Sequence, residues 1–193
     1  MNNNHPDIEL LQQKVALFSD QQSYNELFLH FYISLQQFAY SYVKSRQLSE
    51  EVVSDVFIKI WEKRNILHKI SNLKLYLFTS TRNTAINYLK KQKGEQHIPA
   101  EDYWVELNSV YFDPEKLMIT AEMLTKIQKA IQSLPPRCKM IFKLVKEEGL
   151  KYREVAALLD LSVKTVENQM MLALKKISTE IGFNIKHSIS TTT

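Results

Sequence analysis

The chain has almost none of the residues from which several common protein types are built. Of its 193 residues, three are glycine, five proline and one cysteine. A lone cysteine, Cys138, excludes an intramolecular disulfide and any cysteine-rich zinc site. Three glycines could hardly line a phosphate-binding loop, and so little Gly and Pro counts against the turn-rich all-β folds. The histidines (His5, His30, His68, His97 and His187) stand apart, with no pair at metal-ligand spacing. No serine or threonine sits in a nucleophile elbow. These absences predict a protein that is not an enzyme, with no metal, no cofactor and no small-molecule substrate. No apolar run reaches the length of a membrane span. The opening MNNNHPDIEL lacks the basic-then-apolar pattern of a secretory signal. The expectation is a cytoplasmic protein with no direct membrane insertion.

What remains is helix and charge. The net charge of +4 is unevenly spread. Segment 82–93 carries Arg82, Lys90, Lys91 and Lys93 with no acid. Segment 94–123 carries seven acids against Lys116 alone, and segment 124–178 eleven Lys/Arg against five Asp/Glu. A basic–acidic–basic order suggests two polyanion-binding modules joined by an acidic strap.

Apolar residues recur at helical spacing nearly throughout. Asp7 to Phe18 predicts a short amphipathic helix with Ile8, Leu11, Val15 and Phe18 on one side. A long helix follows with Tyr24, Leu27, Phe31, Leu35, Phe38 and Tyr42 as an aromatic core stripe. Ser49 is the expected N-cap of a third helix, with two glutamates in its first turn. In that helix, EEVVSDVFIKIWEKR, Val53, Phe57, Ile60 and Trp61 can pack inward. Glu51, Asp55, Ile58 and Glu62 line another face, either a protein-docking strip or a solvated acidic face.

Asn65 to Asn72 predicts a short polar loop with two exposed apolar residues. The helix after it packs through Leu73, Leu77, Ala85 and Leu89, and presents Thr81, Arg82, Asn83, Asn87, Lys90 and Lys91. Interleaved with Tyr76, Phe78 and Tyr88, these suit either unstacked nucleic acid or a solvated surface. Beyond 94–114, where periodicity fails, helicity resumes near Glu115. Pro135 ends that helix and Pro136 opens the next.

The stretch after Gly149 reads as a helix-turn-helix, with an ordinary helical hairpin as the bland alternative. Its first helix runs from Tyr152 to Leu159, with Val155, Ala156 and Leu159 inward. At the turn, Asp160 tolerates a left-handed backbone and Ser162 caps the second helix. That helix should bury Val163, Val166, Met170, Leu174 and Ile177. Its other face shows Lys164, Thr165, Glu167, Asn168, Met171 and Lys175, the N-terminal ones placed to enter a major groove.

Two of these stretches resemble one family, the sigma-70 type RNA polymerase initiation factors of the small extracytoplasmic-function (ECF) group. EEVVSDVFIKIWEK is similar to the family's second conserved region, and LYLFTSTRNTAINYLKK to its promoter-melting segment. LPPRCKMIFKLVKEEGLKYREVAALLDLSVKTVENQ is similar to its −35-binding domain. The resemblance covers about residues 20–93 and 120–178. Departures are Ser54 for the usual glutamine, Asp160 where glycine is common, and Met171-Leu172 where a basic residue often occurs. Asn87 stands where an aspartate is expected and, with SVKTVENQ, resembles members from Bacteroidetes.

The resemblance implies an all-α fold of two small helical domains, a sigma region 2 bundle and a region 4 helix-turn-helix, joined by an acidic linker. Its divisions would be an N-terminal extension with a short helix (1–19), region 2 (20–93), linker (94–119), region 4 (120–181) and a disordered tail (182–193). Implied partners are core RNA polymerase, through its β′ clamp helices and β flap, promoter DNA, and an anti-sigma factor, often a membrane protein. Glu51, Ser54, Asp55, Ile58, Trp61 and Glu62 would bind core polymerase. Asn65, His68, Lys69 and Asn72 fall in the loop that captures a flipped-out base. Arg82, Asn83, Asn87, Lys90 and Lys91 would complete the −10 contacts. Arg153, Ser162, Lys164, Thr165, Glu167, Asn168, Met171 and Lys175 would read the −35 element. The linker, with Glu101, Asp102 and Glu106, would thread a basic polymerase channel. The rival readings are a two-domain regulator that binds duplex DNA without polymerase, and a pure interaction protein with no DNA dependence.

Overall fold

The computed structural model describes residues 7–93 and 121–182. The linker, most of the tail, and the helicity expected from Glu115 to Thr120 lie outside the described residues. The described residues are helical with no strand, and the chain divides into two compact units, Met1–Tyr103 and Trp104–Thr193.

In the first unit α1 (Ile8–Phe18) starts on the Asp7 carboxylate, which accepts from the Leu10 N–H at 3.1 Å. Leu11 and Val15 are buried as expected, but Phe18 is exposed. It is the last helical residue before the chain reverses at Ser19, whose φ is 52°. After the Asp20 cap comes α2 (Gln21–Val43), with Leu27, Phe31, Leu35, Phe38 and Tyr42 buried along its length.

The third helix, α3 (Arg46–Glu62), begins earlier than its sequence suggests. Ser45 is the cap, its hydroxyl accepting from Leu48 N–H at 3.3 Å. Ser49 is instead fully buried inside the helix, accepting from Gln36 Nε2 at 2.9 Å and donating to the Arg46 carbonyl. Glu50 and Glu51 therefore sit in the second turn. Val52, Val53, Val56, Phe57 and Ile60 face the core.

A 3-10 segment, η1 (Arg64–Lys69), leads to α4 (Leu73–Lys93). Between Asn65 and Asn72, expected to be a loop with two exposed apolar residues, the chain is largely this 3-10 turn; Ile66 is exposed, Ile70 half-buried and Leu67 only 1% exposed. On α2, α3 closes through Phe57, edge-on to Phe28 at 4.9 Å, and α4 through Phe78, edge-on to Phe38 at 5.1 Å. Deleting one such ring costs about 3–5 kcal/mol.

The second unit contains α5 (Ala121–Gln132), α6 (Pro136–Lys146), α7 (Tyr152–Leu159) and α8 (Val163–Glu180). Pro136 opens α6, where its missing N–H costs nothing. After α6 the chain turns through Gly149 at φ +70°, and Leu150 N–H returns to the Leu144 carbonyl at 3.0 Å. Asp160 takes the left-handed conformation at φ 57°, as its short polar side chain allows. The buried stripe of α8 is Val166, Met170, Ala173 and Ile177; Val163 and Leu174 are exposed. Ala173 belongs to the seam because a small side chain permits close helix approach. Buried Cys138 faces the Gln169 carbonyl at 3.2 Å, a contact between α6 and α8.

Glu147 ends α6 with a largely buried carboxyl group. Burial pushes its pKa up to about 7, against the pull of Lys143 Nζ at 3.6 Å. Between the ordinary carboxylate value and about 7 the folded chain holds a proton that the unfolded chain has lost, so stability falls as pH rises through that window. Urea unfolding should show a loss of about 1–3 kcal/mol across it, and Glu147→Gln should flatten that dependence.

Candidate protein- and nucleic-acid-binding faces

On α3 the positions 51, 54, 55, 58 and 62 recur at three and four residues and share one face. Glu51, Ser54, Ile58 and Glu62 are exposed and Asp55 is half-buried. Ile58 is 55% exposed, so a large apolar group stands in a frame of carboxylates. That suits a partner surface with a small apolar centre and a basic rim. Ser54 turns its hydroxyl back to the Glu50 carbonyl at 2.9 Å. Trp61 is only half-buried, not inward like Val53, Phe57 and Ile60. The Tyr24 ring packs on it at 4.9 Å and the Arg64 guanidinium lies over it at 4.7 Å.

Asp55 is tied to the next face. It accepts a hydrogen bond from the Tyr88 hydroxyl of α4 at 2.9 Å. This bond raises the Tyr88 phenol above its ordinary value, with partial burial and the charges of Asp55 and Glu51 adding in the same direction. Tyr88 is therefore a bridge between α3 and α4, a role its sequence position among polar residues did not signal.

On α4, Asn83, Asn87, Lys90 and Lys91 are exposed on one side, with Arg82 half-buried beside them. Amides and ammonium groups here can reach phosphates and base edges. Two expected members are elsewhere. Phe78 is in the core against Phe38 and cannot stack on a base. Thr81 is fully buried, its hydroxyl without a hydrogen-bond partner. On η1, Asn65, His68 and Lys69 are exposed, while Asn72 caps α4 by accepting from Leu75 N–H at 3.0 Å.

In the second unit Arg153, Lys164, Asn168, Met171 and Lys175 are exposed and Thr165 and Glu167 half-buried. Lys164 Nζ lies 3.3 Å from Glu167 Oε2. Ser162 caps α8, accepting from Thr165 N–H at 3.0 Å, and its hydroxyl is 2.8 Å from that of Thr165. Met171 and Leu172 are both exposed, giving this face apolar area beside its charged residues.

Gln12 of α1 was missed from sequence. It is 7% exposed, and its amide donates to the carbonyls of Leu67 in η1, at 2.6 Å, and of Ile70 just after it, at 2.8 Å. The signal was available: Gln12 lies four residues after Ile8, on the apolar side of α1, and a buried amide must find partners.

Among the described residues no group of His, Cys, Asp and Glu could hold a metal ion, and no helix is long and apolar enough to cross a membrane.

Two family descriptions match the chain: Sigma-70 region 2 over residues 27–95, and Sigma-70, region 4 over residues 124–177. The chain is similar to the ECF RNA polymerase sigma-E factor of Escherichia coli (strain K12), at 28% identity over 170 residues, covering 84% of this chain and 88% of that protein. It is 31% identical over 144 residues to the ECF RNA polymerase sigma-E factor of Haemophilus influenzae, covering 71% and 76%. A solved complex of the sigma factor RpoE with the anti-sigma factor NepR from Bartonella quintana aligns with a TM-score of 0.49 and 23% identity, over 83% of this chain and 98% of that chain.

The Tyr88–Asp55 bond should be measurable without any partner. Tyr88→Phe and Asp55→Ala, combined in a double-mutant cycle by urea unfolding, should give a coupling energy of about 1 kcal/mol.

Proposed function

The chain belongs to the sigma-70 family of RNA polymerase initiation factors, in its extracytoplasmic-function group, and we propose from this how its two units divide promoter selection. It joins core polymerase and directs initiation to particular promoters. It brings positioning and recognition, and no chemistry of its own, to a reaction in the cytoplasm.

The first unit docks on the polymerase clamp through α3. The observation that carries this reading is Ile58, exposed at the centre of Glu51, Asp55 and Glu62 on one helix face. A solvated acidic face would not need the isoleucine. The same unit holds the melted −10 strand along Asn83, Asn87, Lys90 and Lys91, with Arg82 beside them. Asn65, His68 and Lys69 of η1 meet a base that leaves the stack. Unstacking costs a few kcal/mol per step, which pocket contacts offset. Without Phe78, half-buried Tyr76 is the remaining aromatic candidate before Tyr88 on this helix.

The second unit places the N-terminal end of α8 in the −35 major groove. Lys164, Thr165 and Asn168 lead, with Arg153 and Lys175 toward phosphates. The positive end of the α8 dipole favours phosphate there. An anti-sigma factor is included as a second protein partner on the strength of the family alone. Nothing in either unit favours the rival of a regulator that binds duplex DNA without polymerase.

Glu51→Lys combined with Ile58→Ala tests the docking, since both side chains are exposed and the Asp55–Tyr88 bond is left in place. Core-polymerase pull-down should weaken at least tenfold, about 1.4 kcal/mol. Wild-type chain that ignores core polymerase yet binds duplex DNA tightly would support the regulator instead. For the second unit, Lys175→Ala in the reconstituted holoenzyme should reduce the salt slope of promoter binding by about 0.9.

A further inference from the structure

A six-residue 3-10 segment has poor hydrogen-bond geometry and little to hold its shape. The segment η1 keeps its shape through α1, which lies ahead of the region 2 match at residues 27–95. We propose that α1 is a splint for η1 and that Gln12 is a positioning residue for −10 base capture. The proposal rests on the reading of η1 as the capture segment.

Three hydrogen bonds carry it. One Gln12 amide donates to the carbonyls of both Leu67 and Ile70, at 2.6 and 2.8 Å. Leu67 is inside η1, and Ile70 is the extended residue that ends it, so one side chain holds both the last turn of the segment and its exit. The Leu67 carbonyl also accepts from Ile70 N–H at 2.9 Å, so both its lone pairs are used. At the other end Arg64 Nε donates to the Ser19 hydroxyl, at the C-cap of α1, at 2.8 Å. Arg64 also donates to the Trp61 carbonyl at 2.9 Å, which joins η1 to the end of α3. The first and last turns of η1 are thus both tethered to α1.

The tethers divide the segment into two sides. Leu67 is buried and Ile70 half-buried. Asn65 and His68 form an exposed row, with Lys69 beside them. A pocket for an unstacked base gains most when its shape is already fixed, because ordering it at the moment of capture would add to the cost of unstacking. Gln12 fixes the far side of that pocket without touching the base.

The test uses the full chain. Gln12→Leu keeps bulk and removes both donors; Ser19→Gly removes the hydroxyl while suiting the left-handed backbone, so it serves if the first variant folds poorly. Hydrogen exchange at the Ile66 and Ile70 amides should speed about tenfold in each variant, with α3 unchanged. Reconstituted with core polymerase, each variant then selects open complexes from a duplex library randomised over the −10 positions. Preference should weaken about tenfold at one or two adjacent positions, while core affinity and −35 preference stay within twofold. Unchanged exchange and preference, or a uniform loss that includes core affinity, would overturn the splint. His68→Ala with Lys69→Ala separates the two claims. If that variant flattens the −10 preference and the α1 variants do not, the splint fails; if it too leaves the preference intact, the assignment of η1 to base capture fails.

Discussion

The first unit depends on the burial of one aromatic stripe. Leu27, Phe31, Leu35, Phe38 and Tyr42 run the length of α2, and α1, α3 and α4 all close on that helix. Burying such side chains is the main favourable term the unit has, and it fixes the rotation of each neighbouring helix. The functional faces are what that rotation leaves outside. Once Val53, Phe57 and Ile60 point at α2 and α4, Ile58 and its carboxylates cannot do so. Once Leu77, Phe78 and Ala85 are inside, Asn83 and Asn87 face out.

The two faces so produced are not independent. Tyr88 spans from the polar face of α4 to Asp55 on the acidic face of α3, so one carboxylate of that acidic face is shared with α4. The Trp61–Arg64 stack does the same at the other end of α3, where Arg64 also holds the C-cap of α1. The exposed faces of α3 and α4 and the C-cap of α1 are therefore joined by a frame of short contacts. This frame lies over the aromatic core and depends on it.

In the second unit the same economy is reached with backbone rather than bulk. Gly149 and Asp160 take left-handed conformations at the ends of α6 and α7, and each lets an N–H return to a carbonyl of the helix just ended. The chain can then turn tightly enough for α8 to pack on α5, α6 and α7 with Lys164, Asn168 and Lys175 outside. Aspartate at the second turn needs no glycine, because its short polar side chain tolerates the conformation.

By itself the sequence determined which described segments are α-helical, though not the 3-10 turn over Arg64–Lys69, and which stripe of α2 is core. Helical period, turn residues such as Asp160 and Gly149, and capping residues such as Asp7 and Ser162 are local quantities, and local sequence encodes them. The two sigma motifs in order also carried the family. Tertiary structure decided everything that needs a second element to define. Phe78 went to the core and Ala173 into the α8 seam because a neighbouring helix was there to receive them. Ser49 was buried inside α3 because Gln36 supplied a partner from α2. Leu67 and Gln12, fifty-five residues apart in the chain, met only once α1 lay against η1. A period reports that a residue faces a neighbour; only the packed chain says which neighbour, and whether its polar atoms are answered.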